Sequence, residues 1–401
     1  MSEWVKLKLS ECCSSIADGD HQPPPKAEAG IPFVTISNMT STNQFDFSDT
    51  LFVPQDYYDK LDEKRKARKD DILYSVVGSF GIPVFMKEDK AFVFQRHIAI
   101  LRPDNEKIVP RFLFYTMLTK DFYAKADAAA IGAAQRTVSL TALRNMEICI
   151  PDKIQQSKIV DTLAAYDDLI ENNQKQIKLL EEAAQRLYKE WFVDLRFPGH
   201  EKTEIVDGVP EGWHKDAVDS KISLLSGYAF KSSEFVDKGQ YKIVTIKNVK
   251  DGDFDGDNVS LIDEIPSKMP QHCVLEEGDI LLSLTGNVGR VCLVYGDNYL
   301  LNQRVAKLKS DIPGFAYCLF RSKDMFDEMN NLANGAAQQN LSPIRTGKVE
   351  VCFPSEDIIQ RFETTVKPMI DQEIELNKMN VVLAEARDRL LPKLMSDEIE
   401  L

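Results

Sequence analysis

No stretch of this 401-residue chain has the ~20 consecutive apolar residues of a membrane-spanning helix, which excludes an integral helical membrane protein. The start, Met1-Ser2-Glu3-Trp4, has neither the basic nor the apolar region of a secretory leader, so a cytoplasmic location is expected. Cysteine is sparse, odd in number and never in a C-x-x-C pair: the seven lie at positions 12, 13, 149, 273, 292, 318 and 352. That predicts reduced, mostly buried thiols rather than a disulfide framework. Histidine is rarer still; the five, at 21, 97, 200, 214 and 272, are scattered, and H-E-x-x-H is missing. There is no G-x-x-x-x-G-K-[ST] loop, so nothing marks a nucleotide motor.

What is present is ordinary globular material: 43% hydrophobic and 28% charged residues, enough for two or three domains. The net charge of −14 is unevenly spread. Residues 1–150 are nearly neutral, with 19 Lys+Arg against 20 Asp+Glu, and contain the basic run Lys64-Arg65-Lys66-Ala67-Arg68-Lys69. Local patches decide what binds, so a nucleic-acid role is allowed but not implied.

The chain repeats itself with a period of about 205–210 residues. Val34-Thr35-Ile36-Ser37-Asn38 returns as Val244-Thr245-Ile246-Lys247-Asn248, and Asp71-Ile72-Leu73-Tyr74-Ser75 as Asp279-Ile280-Leu281-Leu282-Ser283. Gln95-Arg96 returns as Gln303-Arg304, and Gly132-Ala133-Ala134-Gln135 as Gly335-Ala336-Ala337-Gln338. Glu147-Ile148-Cys149-Ile150-Pro151 returns as Glu350-Val351-Cys352-Phe353-Pro354, with the paired cysteines read as core. This order of matches predicts a duplicated module.

Each half reads as mixed α/β, with short β-rich runs between Gly/Pro/Asn/Asp turns, followed by a long helix after a proline. In the first helix Ile159, Leu163, Tyr166, Ile170, Asn173, Ile177, Leu180, Ala184, Leu187 and Trp191 are spaced by four and three, a heptad seam ended at Pro198-Gly199. In the second, Ile370, Ile374, Asn377, Val381, Ala384 and Leu391 follow the same register, broken at Asp388. Asn173 and Asn377 then occupy equivalent seam positions, where a buried Asn fixes register and a solvated one merely crosses. A helix over 155–195 runs about 60 Å. The expected α/β (mixed α+β) architecture is two similar globular modules, 1–150 and 213–354, separated by two long paired coiled-coil helices, 151–197 and 355–395, with a pseudo-two-fold axis if the helices run antiparallel. A linker, 198–212, and a tail, 396–401, complete a pseudo-two-fold internal repeat.

These residues resemble the specificity (S) subunit of type I restriction–modification systems. The resemblance rests on Trp4-Val5-Lys6-Leu7 with Ile16 to Pro23 and Gly30-Ile31-Pro32-Phe33-Val34. It rests also on Pro210-Glu211-Gly212-Trp213 with Leu225 to Lys231, and on the helix exit Leu187 to Asp194. It spans essentially the whole chain, carried by the duplicated order of the motifs rather than by any one of them. It implies two target recognition domains, each reading one half of a split, asymmetric double-stranded DNA sequence, with the helices as a ruler. It also implies docking of two methyltransferase subunits and of restriction/translocase subunits. The adenine-N6 methylation and ATP-dependent cleavage, with S-adenosylmethionine, ATP and Mg, would belong to those partners. Pro23-Pro24-Pro25 lacks the Asn/Asp and the aromatic of an amino-methyltransferase motif, in keeping with a non-catalytic chain.

Base edges are read by Arg, Lys, Asn, Gln, Ser and Thr; phosphates are held by Lys and Arg. The repeated Gly-Ala-Ala-Gln segments offer Gly132, Gln135, Arg136 and Thr137, and then Gln338, Gln339 and Asn340. The same segments also read as structural turns. The Gly-rich turns after strands offer Ser75, Ser79, Ser283 and Asn287. Gln95-Arg96 and Gln303-Arg304 are either readers or internal braces. Lys64, Arg65 and Lys66 are either a phosphate grip or a solvated face. His21 and Lys231 complete the set, with specificity expected where the modules differ, as at His21-Gln22 against Ala229-Phe230 and Arg136 against Gln339. Asp251 to Asp257 mimics the start of a calcium loop, but Ile262 stands where its closing Glu belongs, so an acidic turn is expected. Two other classes stay open: a coiled-coil protein-binding adaptor without sequence-specific DNA binding, and an enzyme whose acid, His or Cys cluster both halves would share.

Overall fold

A computed structural model describes residues 4–21, 23–40, 42–133, 135–333 and 339–399. The first module contains strands β1 (Val5–Lys8), β2 (Cys13–Asp18), β3 (Ile31–Val34), β4 (Leu51–Val53), β5 (Ile72–Ser75), β6 (Pro83–Phe85), β7 (Val93–Phe94), β8 (Ile98–Pro103) and β9 (Glu147–Ile150). They form a four-stranded sheet β2-β8-β5-β6, a three-stranded sheet β4-β3-β7 and the pair β1-β9. The second module contains β10 (His214–Ala217), β11 (Ile222–Ser226), β12 (Tyr241–Val244), β13 (Ser260–Ile262), β14 (Ile280–Ser283), β15 (Val291–Leu293), β16 (Tyr299–Leu301), β17 (Val305–Ser310) and β18 (Glu350–Phe353). Its sheets are β11-β17-β14-β15, β13-β12-β16 and β10-β18, the same arrangement strand for strand.

The central strands explain the apolar runs in the sequence. Every residue of β5 and of β14 is buried. Alternate residues enter different cores, as the two-residue period of a strand requires. Ile72 and Tyr74 pack with Phe112 and Tyr115, whereas Leu73 packs with Val34, Phe92 and Phe94. Ile280 and Leu282 pack with Phe315 and Tyr317, whereas Leu281 packs with Val244 and Leu301.

The helices repeat as well, down to their caps. Helices α1 (Pro110–Leu118), α2 (Lys120–Ala129), α3 (Leu140–Asn145) and α4 (Lys153–Tyr188) are answered by α5 (Pro313–Phe320), α6 (Lys323–Leu332), α7 (Pro343–Gly347) and α8 (Glu356–Met395). α1 and α5 begin with proline. Thr119 and Ser322 cap α2 and α6; Ser139 and Ser342 cap α3 and α7.

The chain divides into two compact units, Met1–Asp168 with Ala384–Leu401, and Leu169–Leu383. Each long helix therefore contributes residues to both units. In the first unit Ile159 and Leu163 share a core with Leu391 and Leu394, and Asp167 pairs with Arg387 at 2.8 Å. In the second, Asn173 bonds to Asn380, and the Tyr317 hydroxyl lies 3.4 Å from a carboxylate oxygen of both Glu181 and Glu373, so rising numbers on α4 meet falling numbers on α8. The helices run antiparallel.

Three expectations need correction. α4 passes into a π turn at Lys189–Val193 and the chain breaks at Leu195, φ 55°, ahead of Pro198-Gly199. The packed face of α8 runs through Phe362, Val366, Ile370, Glu373, Ile374, Asn377, Asn380, Ala384, Arg387, Leu391 and Leu394, and its polar members hid part of it; Ile374 is buried as expected, whereas Val381 is 43% exposed. The linker is fastened at both ends, with Phe197 and Trp213 rings 4.9 Å apart over buried Ile358. Cys149 is exposed, because β9 has its alternate residues outward; Cys352 is intermediate and the other five cysteines are buried. All seven are free thiols. No helix among the described residues is long and apolar enough to cross a membrane.

Candidate nucleic-acid interface

Three turns meet where β5 ends and β8 begins. Val76 N donates to His97 O at 2.9 Å, tying the turn after β5 to the Gln95-Arg96 turn. Val138 N donates to Val76 O and Gly78 N to Arg136 O, both at 2.9 Å, which ties in the 131–137 loop. The second module repeats the set: Leu284 N to Arg304 O at 3.0 Å, Leu341 N to Leu284 O at 2.8 Å and Gly286 N to Gln339 O at 3.3 Å.

A fourth segment joins each cluster by a very close backbone approach. Asp20 N donates to Phe94 O and Arg96 N to Asp20 O; Tyr228 N donates to Leu301 O and Gln303 N to Tyr228 O. The preceding residue must be glycine. A Cβ on Gly19 would lie 2.2 Å from Phe94 O, and one on Gly227 would lie 2.2 Å from Asn302 O. Gly132 is needed for a different reason: its φ is +108° and a Cβ would meet Gln135 O at 2.6 Å.

The structure thus brings together candidates that the sequence scatters over more than a hundred residues. Ser79, Arg96 and Gln135 are exposed in the first module, as are Asn287, Gln303, Arg304, Gln339, Asn340 and Lys231 in the second. Gln95, Arg136 and Thr137 are half-buried. His21 is held by Asp18, Nε2 to Oδ2 2.6 Å, and Arg65 lies 3.8 Å from the same carboxylate. A cleft of about 350 Å³ opens between Asp20, His21, Gln95 and Arg96 on one side and Phe33 and Phe52 on the other. Burial, with Arg96 beside it, holds His97 below the usual histidine pKa, which favours a neutral ring near pH 7.

Other candidates serve the fold. Ser75 and Ser283 are fully buried. Their hydroxyls accept from Ile82 N and Arg290 N, at 2.9 and 3.0 Å, and close the turns that carry Ser79 and Asn287. Lys66 and Arg68 both pair with Glu63, at 2.7 and 2.5 Å, whereas Lys64 is exposed. Gln338 lies outside the described residues. The acidic run is a turn in which Val249 bridges Phe254; Asp251 lies 3.6 Å from Arg321, and Asp253 and Asp255 pair with Lys250.

On the helices, Ile159, Leu163, Asn173, Ile370 and Ile374 are buried. Tyr166, Ile170, Ile177, Leu180, Leu187, Trp191 and Asn377 are half-buried. The partner of Asn173 is Asn380, not Asn377. Residues missed in the sequence are Phe80, Tyr123 and Asp127, which gather around Arg136. The only signal for them was an arginine beside a glycine turn with no carboxylate nearby in sequence.

Both edges present hydrogen-bonding side chains on backbone that is braced from several sides. Such side chains on a braced frame suit recognition by hydrogen bonds.

The family that matches is the type I restriction modification DNA specificity domain, over residues 1–182 and 210–380. The type I restriction enzyme MjaIX specificity subunit of Methanocaldococcus jannaschii is 26% identical over 303 residues, covering 73% of this chain and 69% of the relative. The HindI specificity subunit of Haemophilus influenzae is 24% identical over 471 residues, covering 100% of both. The fold recurs in the crystal structure of the type I restriction–modification S subunit from M. genitalium. There the TM-score is 0.59 at 19% identity, over 98% of this chain and 96% of that one.

Proposed function

The chain belongs to the type I restriction–modification DNA specificity family, and from that premise we propose that it reads a two-part, asymmetric duplex DNA target, one half-site per module. The observation that carries this reading is the doubled edge. The same turns are braced by the same backbone bonds in both modules, yet they present different side chains. Equal frames with unequal readers suit two different half-sites at a set spacing. On this reading Lys64 and Lys231, both exposed, would meet phosphates, and α4 with α8 would set the gap between half-sites.

The chain supplies no catalytic group. In the second unit Leu169, Leu179, Met379 and Val382 leave large apolar side chains exposed on α4 and α8, which suits docking of methyltransferase subunits. Two such subunits, and then restriction/translocase subunits, would complete a cytoplasmic complex. S-adenosylmethionine, ATP and Mg would be bound by those partners. With a net charge of −14, the isolated chain should bind DNA weakly and lose it steeply with salt.

The test is modified-base sequencing of DNA from cells expressing this chain with the methyltransferase subunit of its system, against cells lacking this chain. A split motif with a fixed gap is expected, and exchanging residues 1–150 should change one half-site alone. Absence of any motif, with the methyltransferase folded and bound, would overturn the proposal in favour of a protein-binding adaptor.

A further inference from the structure

The two modules hold residue 136 and its repeat, 339, differently. Arg136 donates from Nη1 to a carboxylate oxygen of Asp127 and from Nη2 to the backbone oxygen of Asp127. Its guanidinium lies 5.5 Å from the Phe80 ring centroid, and Phe80 stacks on Tyr123, 5.8 Å apart and 12° from parallel. In the second module Gln339 stands in the place of Arg136, Asn330 in that of Asp127 and Val288 in that of Phe80. Carboxylate, ring and guanidinium have been exchanged together for groups that cannot make this set of contacts. The flanking frame is kept: Gly81 lies under Tyr123, and Gly289 under Phe326.

A structural pin is the competing explanation, and two observations weigh against it. The Arg136 and Asp127 side chains are 42% and 44% exposed, and ion pairs that open to water add little to stability. In the second module Gln339 and Leu341 make the same two backbone bonds, and the matching described positions, Asn330 and Gln339, carry no carboxylate or guanidinium. The clamp therefore acts on the direction of the arginine. Its bonds to Asp127 use two of the five guanidinium N–H donors. A fork fixed in direction matches guanine O6 and N7 in the major groove, whereas a glutamine amide matches adenine N6 and N7.

Resting on the DNA-reading role above, we propose that Arg136, aimed by Asp127 and Phe80, selects a guanine in the half-site of the first module, and that Gln339 selects an adenine at the matching place in the other. Arg136 and Gln339 are then specificity-determining residues, and Asp127 is a positioning residue.

The experiment expresses the chain with its methyltransferase subunit and sequences modified bases for wild type, R136Q, R136K, D127N and Q339R. R136Q should lose or convert one G·C requirement in one half-site, with discrimination at that pair falling roughly 5- to 150-fold, and leave the gap and the other half-site unchanged. R136K keeps the charge but not the fork and should relax the same pair. D127N should relax it less, and Q339R should alter one pair of the other half-site. An unchanged motif from R136Q or R136K overturns the inference. So does a uniform loss of methylation over all sites, which marks a phosphate contact or a loop pin. A wild-type chain that directs no split motif would instead overturn the DNA-reading role, and this inference with it.

Discussion

Asn173 donates from its side-chain amide to Oδ1 of Asn380 at 2.9 Å, inside the packed face between α4 and α8, where Asn173 is only 2% exposed. A polar pair in an apolar seam stabilises one alignment, because a helix shifted along its partner would bury the amide unpaired. N173A should cost on the order of 1–3 kcal/mol, read as a lower urea midpoint. N173L with N380L should keep or raise the midpoint while broadening the species seen by analytical ultracentrifugation. A double variant that stays a single species and directs the same gap would remove the register role from this pair.

Gly19 and Gly227 occupy the same place in their modules, each with a carbonyl oxygen 2.2 Å from where a Cβ would sit. An added methyl there must push the turn away from Phe94 or Asn302. G19A should cost roughly 1–3 kcal/mol and weaken recognition of the first half-site only; G227A should do the same to the second. Methylation profiles of the two variants check this. Equal damage to both half-sites would show that the displaced turns are not local to one reader.

Much of the fold was legible because one plan is written twice. The Gly turns and the proline-led helices mark matching points, and the strands follow the same order in both modules; the Gln-Arg pairs do not, because Arg96 N and Gln303 N make the same bond and Gln95 answers Asn302. The seam of α8 was misplaced for a physical reason. Every seventh residue of its buried face is polar, Glu373, Asn380 and Arg387, and each is satisfied by a distant partner. Val381, the apolar neighbour of Asn380, fits the heptad pattern better than Asn380 does and yet is exposed, whereas Ile374 is buried beside Glu373. The site was half legible for a related reason. Identity between modules marked Ser75 and Ser283, which are braces, while the Arg136 clamp joins side chains far enough apart in sequence that spacing says nothing of it.

The long helices also brace the modules through their own side chains. Both carboxylate oxygens of Glu363 accept from the start of α5, Gly314 N at 3.0 Å and Phe315 N at 2.6 Å. Gln156 does the equivalent at α1, accepting from Val109 N at 2.8 Å. These are helix caps supplied from another element. E363A should lose about 0.5–2 kcal/mol, E363Q clearly less because an acceptor remains, and Q156A about as much as E363A. Urea midpoints for the three variants rank them. A ranking with E363Q as damaging as E363A would mean that the charge, not the cap, is what matters.

Burial pushes the Glu373 carboxyl up to about 7, against the pull of Arg321 and a hydrogen bond from Tyr317. Arg321 is itself half-buried and also paired with Glu181. An acid whose pKa rises on folding holds its proton in the native state after the unfolded chain has released it. Native stability therefore falls as pH rises from about 4.5 to about 7, and the effect is flat above that window. His97, lowered on folding, acts in the opposite direction, so the comparison must be between variants. E373Q removes the titration and leaves His97 in place. The wild type should lose up to about 3 kcal/mol relative to E373Q between pH 5 and pH 8, measured as the difference in urea midpoints at each pH. A constant difference across that range would mean that Glu373 is ionised throughout, with Arg321 winning over burial.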